Sequence, residues 1–160
     1  RRLIIIRHAH SPHPRGVDDH DRPLSERGRQ QAFTVAESLV ERDWLPAETI
    51  SSDAARARET WQAMKPVLEA AGGPIPTGYT HDLYGADVDD IAEVVWAVGD
   101  GTHTLAVVGH NPGFSDVAGW LTGTQISMPT GAAVLVECEG SSWSEALQAS
   151  RGRFVAMIRP

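Results

Sequence analysis

Two histidines stand where strands would end. Leu3-Ile4-Ile5-Ile6 runs into Arg7-His8, and Leu105-Ala106-Val107-Val108 runs into Gly109-His110. An imidazole with one nitrogen held unprotonated is a nucleophile or proton carrier near neutral pH. A guanidinium beside it binds two oxygens of an anion at once through its planar fork. Arg7 adjoins His8, and Arg56 and Arg58 follow Ser52-Asp53-Ala54-Ala55 near the start of a predicted helix, where either could reach the same anion. Two histidines and two arginines gathered at one edge describe an oxyanion site, and a phosphoryl group is its obvious occupant.

The apolar run Leu3–Ile6, three residues of it β-branched, reads as a strand buried on both faces, in the middle of a parallel or mixed sheet. Thr104–Val108 reads as a second. Ligands of open α/β sheets sit beyond the carboxyl ends of the strands, so parallel alignment of these two would bring both imidazoles to one crevice. His10–Arg22, rich in Pro, Asp and His, is a loop by pattern. A helix is predicted from Ser25, its N-cap, to about Arg42, with Ala32, Val35, Ala36, Leu39 and Val40 on its packing face. Thr49–Ser51 is a short strand, after which Ser52 or Asp53 could cap a helix running to Gly72. Thr77–Leu83 holds a short strand, Asp87–Val98 a helix, and Asn111-Pro112 the N-cap and first position of a helix over Gly113–Leu121. Helix N-termini at Ser52–Ala55 and Asn111–Gly113 would add partial positive charge for an anion. Ala132–Cys138 and Phe154–Ile158 are two last strands joined by a polar turn. The alternation predicts a three-layer α/β/α sandwich with a mostly parallel sheet and antiparallel additions at its end, one domain over residues 1–160.

A net charge of -7 argues against a general nucleic-acid binder. Cys138 is the sole cysteine, which excludes an internal disulfide and a cysteine zinc cluster and marks it as an inert strand thiol. No apolar run approaches the ~20 residues of a membrane helix. Arg1-Arg2 before Leu3–Ile6 mimics a signal peptide, but the apolar part is too short. A cytoplasmic monomer, with no membrane or nucleic-acid partner, is the expectation. A metal site from His8, His10, His13 and His20 competes with the anion site. Arg7 is a poor neighbour for a cation, and Pro12 and Pro14 leave the ligand geometry of that loop undefined, so the anion reading is preferred.

These segments carry a resemblance. Ile6-Arg7-His8-Ala9 resembles the Arg-His-Gly signature of the histidine phosphatase superfamily, whose fold is that of the phosphoglycerate mutases. Arg22-Pro23-Leu24-Ser25-Glu26-Arg27-Gly28 with Gln31-Ala32 resembles the segment opening that family's first helix. Ser52-Asp53-Ala54-Ala55-Arg56 with Thr60 resembles its Ser-Pro-x-x-Arg…Thr segment, which selects Arg56 over Arg58, and Val107–Pro112 resembles its second-histidine strand. The order is the family's, and the compact length is most similar to the SixA-type phosphohistidine phosphatases.

The resemblance implies a phosphatase without metal or other cofactor. His8 would take the phosphoryl group and lose it to water, while Arg7, Arg56 and His110 hold the equatorial oxygens. Arg22 would add a phosphate contact from the loop. A backbone carbonyl on the other His8 nitrogen would fix its tautomer. Ala9 replaces the family's Gly and Asp53 its Pro, the latter placing a carboxylate near the anion unless it caps the helix. For the leaving-group acid, Asp82, Asp87, Asp89 and Asp90 are available, with Asp82 first. The implied partner is a phosphorylated protein carrying phosphohistidine. The alternatives are a small phosphate ester and, in another class, a non-catalytic module that binds phosphoproteins.

Overall fold

In the computed structural model, which describes residues 1–160 throughout, the four apolar residues after Arg2 form the middle of a sheet. Its strands are β1 (Arg2–Arg7), β2 (Glu48–Ser52), β3 (Thr77–Thr80), β4 (Thr104–Gly109), β5 (Ala133–Cys138) and β6 (Gly152–Ile158), in the order β3-β2-β4-β1-β5-β6. The first four are parallel to one another, while β5 runs antiparallel to β1, and β6 to β5. The unbroken apolar run follows from this position. Leu3 and Ile5 join a core with Ile91, Val95, Phe114 and Val117 on one face, and Ile4 and Ile6 join Val35, Leu39, Trp61 and Met64 on the other. Each such fully buried aliphatic side chain contributes roughly 2 kcal/mol.

The second face is covered by α1 (Glu26–Glu41) and α2 (Ala55–Gly72), the first by α3 (Val88–Trp96), α4 (Gly113–Thr122) and the one-turn α5 (Trp143–Ala146), which interrupts the turn expected between β5 and β6. The result is the expected α/β/α sandwich. Ser25 caps α1 by accepting from the Gly28 amide, and Asp87 and Asp90 form a reciprocal capping box on α3. Two cap expectations need correction. Asn111 is one residue short of the cap of α4, which Pro112 occupies, although its Oδ1 still accepts from the Ser115 amide at 3.2 Å. α2 is entered through Ala54 with no side-chain cap at all, so Asp53 does not cap it. The loop over residues 10–22 contains a 3-10 turn at Asp19–Asp21, which the sequence pattern did not indicate. No helix is long and apolar enough to cross a membrane.

The start of α4 is locked to the segment before α3. A Cβ on Gly113 would lie 1.9 Å from the Ala86 carbonyl oxygen. Both sides are backbone, so neither yields by a rotamer change. Gly113→Ala is expected to cost about 1–3 kcal/mol, read as a lower denaturant midpoint with an unchanged slope. A wild-type midpoint would mean the two segments are not packed this closely.

Candidate active site

β1 and β4 are parallel neighbours, with Arg7 opposite Gly109, so His8 and His110 leave the sheet side by side. Their ring centroids are 5.1 Å apart. They line a crevice of about 440 Å³ with Arg7, Arg22, Arg56, Asn111 and the residues just after β1. This is the carboxyl edge on which the sequence placed the site.

The His8 ring is fixed at both nitrogens. Its Nδ1 lies 2.8 Å from the Ala9 carbonyl oxygen, which can only accept, so the proton is on Nδ1. Nε2 is therefore the free base, and the Nε–H of Arg56 donates to it at 3.3 Å. The Ala9 peptide is anchored in turn, its N–H donating to Thr60 Oγ1 at 3.0 Å while that hydroxyl donates to the Arg56 carbonyl at 2.6 Å. Thr60 thus ties the nucleophile candidate to the helix carrying Arg56. The Arg-Pro-Leu-Ser-Glu-Arg-Gly stretch is a brace for the same loop. Gln31 accepts from the His10 amide at 2.9 Å, the Ser25 amide donates to the His10 carbonyl at 3.0 Å, and a Cβ on Gly28 would meet that carbonyl oxygen at 2.3 Å.

Burial, with Arg56, Arg7 and Arg22 nearby, holds His8 down to about 4, although its bond to Ala9 pulls the other way. Burial foremost, then the neighbouring His8 and Arg56, holds His110 at about 3. Both are neutral at physiological pH. Ser52 Oγ accepts from the Ala54 amide at 3.3 Å and lies 2.8 Å from His110 Nε2. If the Ser52 hydroxyl donates to Nε2, the His110 proton sits on Nδ1. That nitrogen and Arg7 Nε are buried without a protein partner. A buried donor left unpaired costs about 1–3 kcal/mol, and an oxyanion between them would satisfy both. Arg7 is otherwise oriented by donating from Nη1 to the Met128 carbonyl at 2.8 Å, and burial lowers its pKa.

Folding lowers the pKa of both imidazoles from 6.5, so below that value the unfolded chain binds more protons than the folded one. Stability is accordingly full above pH 6.5, declines as the pH falls, and levels off below about 4 for His8 and about 3 for His110. Long-range 1H–15N spectra should show His8 Nε2 unprotonated down to about pH 5. Protonation midway between neutral pH and that point would contradict the buried, arginine-flanked ring.

Arg56 is buried at the start of α2, whereas Arg58 is exposed and sits over the Tyr79 ring. Arg22, 8 % exposed, also lines the crevice, its Nη1 donating to the Pro12 carbonyl at 3.3 Å. The sequence reading missed Asp19, which holds both side chains. Its carboxylate accepts from Arg22 Nε at 3.0 Å and Arg56 Nη2 at 3.1 Å, and its carbonyl from Arg56 Nη1 at 2.6 Å. The Tyr84 hydroxyl donates to it at 2.6 Å and, ahead of the arginines, holds its carboxyl down at about 2. The spacing of Asp19 to Arg22 was a signal, but Asp18 and Asp21 were equal candidates by type.

The remaining candidates fall elsewhere. Asp82 is exposed, accepts from Thr80 Oγ1 at 3.0 Å, and lines a neighbouring crevice of about 620 Å³ with His81, Tyr84 and Asp90. Asp87 and Asp90 are occupied by the α3 capping box. His8, His10, His13 and His20 do not assemble into one cluster: His10 Nδ1 lies against Ser25 Oγ at 2.6 Å, and His20 groups with Asp53 and His81. Asp53 points at those two imidazoles, with His20 Nε2 2.7 Å away. Cys138 is buried and its thiol pushed up to about 11 by burial, as an inert strand thiol should be.

The sequence profile of the histidine phosphatase superfamily (branch 1) matches residues 3–87. An uncharacterised chloroplastic protein of Arabidopsis thaliana is 37% identical over 158 residues, spanning 94% of this chain and 72% of its own. An uncharacterised protein of Mycobacterium tuberculosis is 41% identical over 115 residues, 71% of this chain and 67% of its own. A solved structure from Nakamurella multipartitia, provisionally described as the phosphohistidine phosphatase SixA, superposes with a TM-score of 0.81 at 29% identity over 100% of this chain and 96% of that one. The protein histidine phosphatase SixA complexed with tungstate superposes with a TM-score of 0.82 at 20% identity, over 99% and 97%.

Proposed function

The chain belongs to the histidine phosphatase superfamily, and from that premise we propose that it is a phosphatase acting through a covalent phosphohistidine on His8, with protein phosphohistidine as its substrate. The observation that carries the reading is the His8 ring, whose Nδ1–H is bound to the Ala9 carbonyl while Nε2 presents its lone pair beside Arg56. The phosphoryl group enters between them and takes over the Arg56 Nε–H. Nε2 then attacks phosphorus, the bond to the leaving imidazole breaks with its electron pair, and that imidazole is protonated by solvent. Water next attacks phosphorus, the P–Nε2 bond breaks with its electron pair returning to His8, and the phosphoryl group departs as inorganic phosphate carrying the oxygen and protons of that water. Arg7, Arg56, Arg22 and the Nδ1–H of His110 face the oxygens, where charge concentrates. Asp19 keeps the forks of Arg22 and Arg56 aligned. These parts come from the ends of the neighbouring strands β1 and β4, the start of α2 and the 10–22 loop, and we read residues 1–160 as one catalytic domain.

The preference for a phosphohistidine substrate rests on the acid. Asp19 reaches the phosphate-binding arginines and, held at about 2, is ionised and cannot donate a proton near neutral pH. Asp82 lies along the neighbouring crevice. An imidazole leaves more readily than an alkoxide and depends less on a donor. Turnover of a phosphohistidine protein should therefore exceed that of a phosphoserine peptide or sugar phosphate by at least about 100-fold in kcat/KM, the usual contribution of a general acid. Equal or reversed preference would establish the small-ester alternative. Phosphate binding without turnover of either would establish a binding module.

A further inference from the structure

We propose that His20, Asp53 and His81 form a binding site for a divalent transition-metal ion, zinc above others, at the rim of the crevice and apart from the groups that face the phosphoryl oxygens. The three side chains arrive from the Asp19–Asp21 turn, the β2–α2 junction and the turn after β3. His20 Nε2 lies 2.7 Å from Asp53 Oδ1, and His81 Nδ1 lies 3.2 Å from each Asp53 oxygen. Each residue offers one ligand atom, and no two of these are more than 4.8 Å apart. Ligands about 2.1 Å from zinc are about 3.0–3.4 Å from one another. The His81–Asp53 pair already has that spacing, whereas His20 Nε2, hydrogen-bonded to Asp53 Oδ1 at 2.7 Å, must give up that bond and move outward by a few tenths of an ångström.

Ordinary structural roles do not account for the cluster. Asp53 is not used as a helix cap. Its backbone N–H donates to the Thr80 carbonyl at 3.1 Å, which holds the junction against the end of β3 whatever the carboxylate does. Solvent-accessible His–Asp pairs contribute only about 0–1 kcal/mol, so the convergence of two imidazoles on one carboxylate adds little to the stability of the fold. The Tyr84 ring orients both, with centroids 4.9 Å from His20 and 5.3 Å from His81. The other His20 nitrogen lies 3.6 Å from the Asp21 carboxylate, which is longer than a hydrogen bond. Two imidazoles and one carboxylate suit zinc and its neighbours, whereas magnesium and calcium take oxygen. The remaining positions would be open to water or to an anionic group of a ligand. The ion would also tie the turn bearing Asp19, and through it Arg22 and Arg56, to the β2–α2 junction.

The test is titration of untagged, metal-free protein with zinc by calorimetry and with cobalt by absorption, for wild type, Asp53→Asn, His81→Ala and His8→Ala. His81 is exposed and Asp53 half-buried, so both variants should fold, which circular dichroism checks. One ion per chain is expected, with affinity reduced at least about tenfold in Asp53→Asn and His81→Ala and unchanged in His8→Ala. Absence of saturable binding below millimolar zinc would overturn the proposal. So would tight binding that survives both substitutions, or that is lost in His8→Ala, which would place the ion on the catalytic histidine pair. Because binding is read directly, failure here leaves the phosphatase reading untouched, and the reverse also holds.

Discussion

His8→Ala protein quenched without acid after brief exposure to a phosphorylated substrate should carry no phosphate, whereas wild type should show an acid-labile adduct of about 80 Da by mass spectrometry. The loss of turnover should be on the order of 10⁴-fold or more, because the group that bonds to phosphorus is gone. Arg7, Arg56 and His110 would still gather the oxygens, so phosphate affinity should fall far less than the rate. That split between binding and rate separates a missing nucleophile from a collapsed crevice. Turnover that survives in His8→Ala would remove the covalent route.

Arg56→Ala is expected to lower kcat by about 10²–10³, the range for removing one preorganised donor to a transition-state oxygen. Arg56 uses three separate N–H directions, toward His8 Nε2, the Asp19 carbonyl and the Asp19 carboxylate. A lysine ammonium on a flexible stem cannot supply that fork, so Arg56→Lys should recover little. Asp19 would then keep only its Arg22 and Tyr84 partners, leaving the turn above the crevice less tightly held. Single-turnover measurement isolates the chemical step from product release. A change within about threefold would mean that Arg56 serves the fold rather than the phosphoryl group.

The sequence by itself determined the pieces whose causes are local. Four apolar residues before Arg7-His8 require burial on both faces, and β1 has it. Ser25 caps α1 because its hydroxyl reaches an amide three residues on, and the stripe Ala32, Val35, Ala36 and Leu39 faces the core because the helix repeats every 3.6 residues. The placement of His8 and His110 on one edge followed from two like strands, given a common direction. Tertiary structure decided what depends on direction and distance across the chain. Residues two apart on a helix face away from each other, so the phase of α2 against the sheet buries Arg56 and exposes Arg58, a choice that residue type left open and only the family resemblance had made. Asp19 was one of three carboxylates in its turn until packing set it against Arg22 and Arg56. Asp53 could have been a cap by type. The path of the chain around β3 and the 10–22 loop instead brought His20 and His81 to it from 33 and 28 residues away, and no local pattern encodes a meeting of that kind.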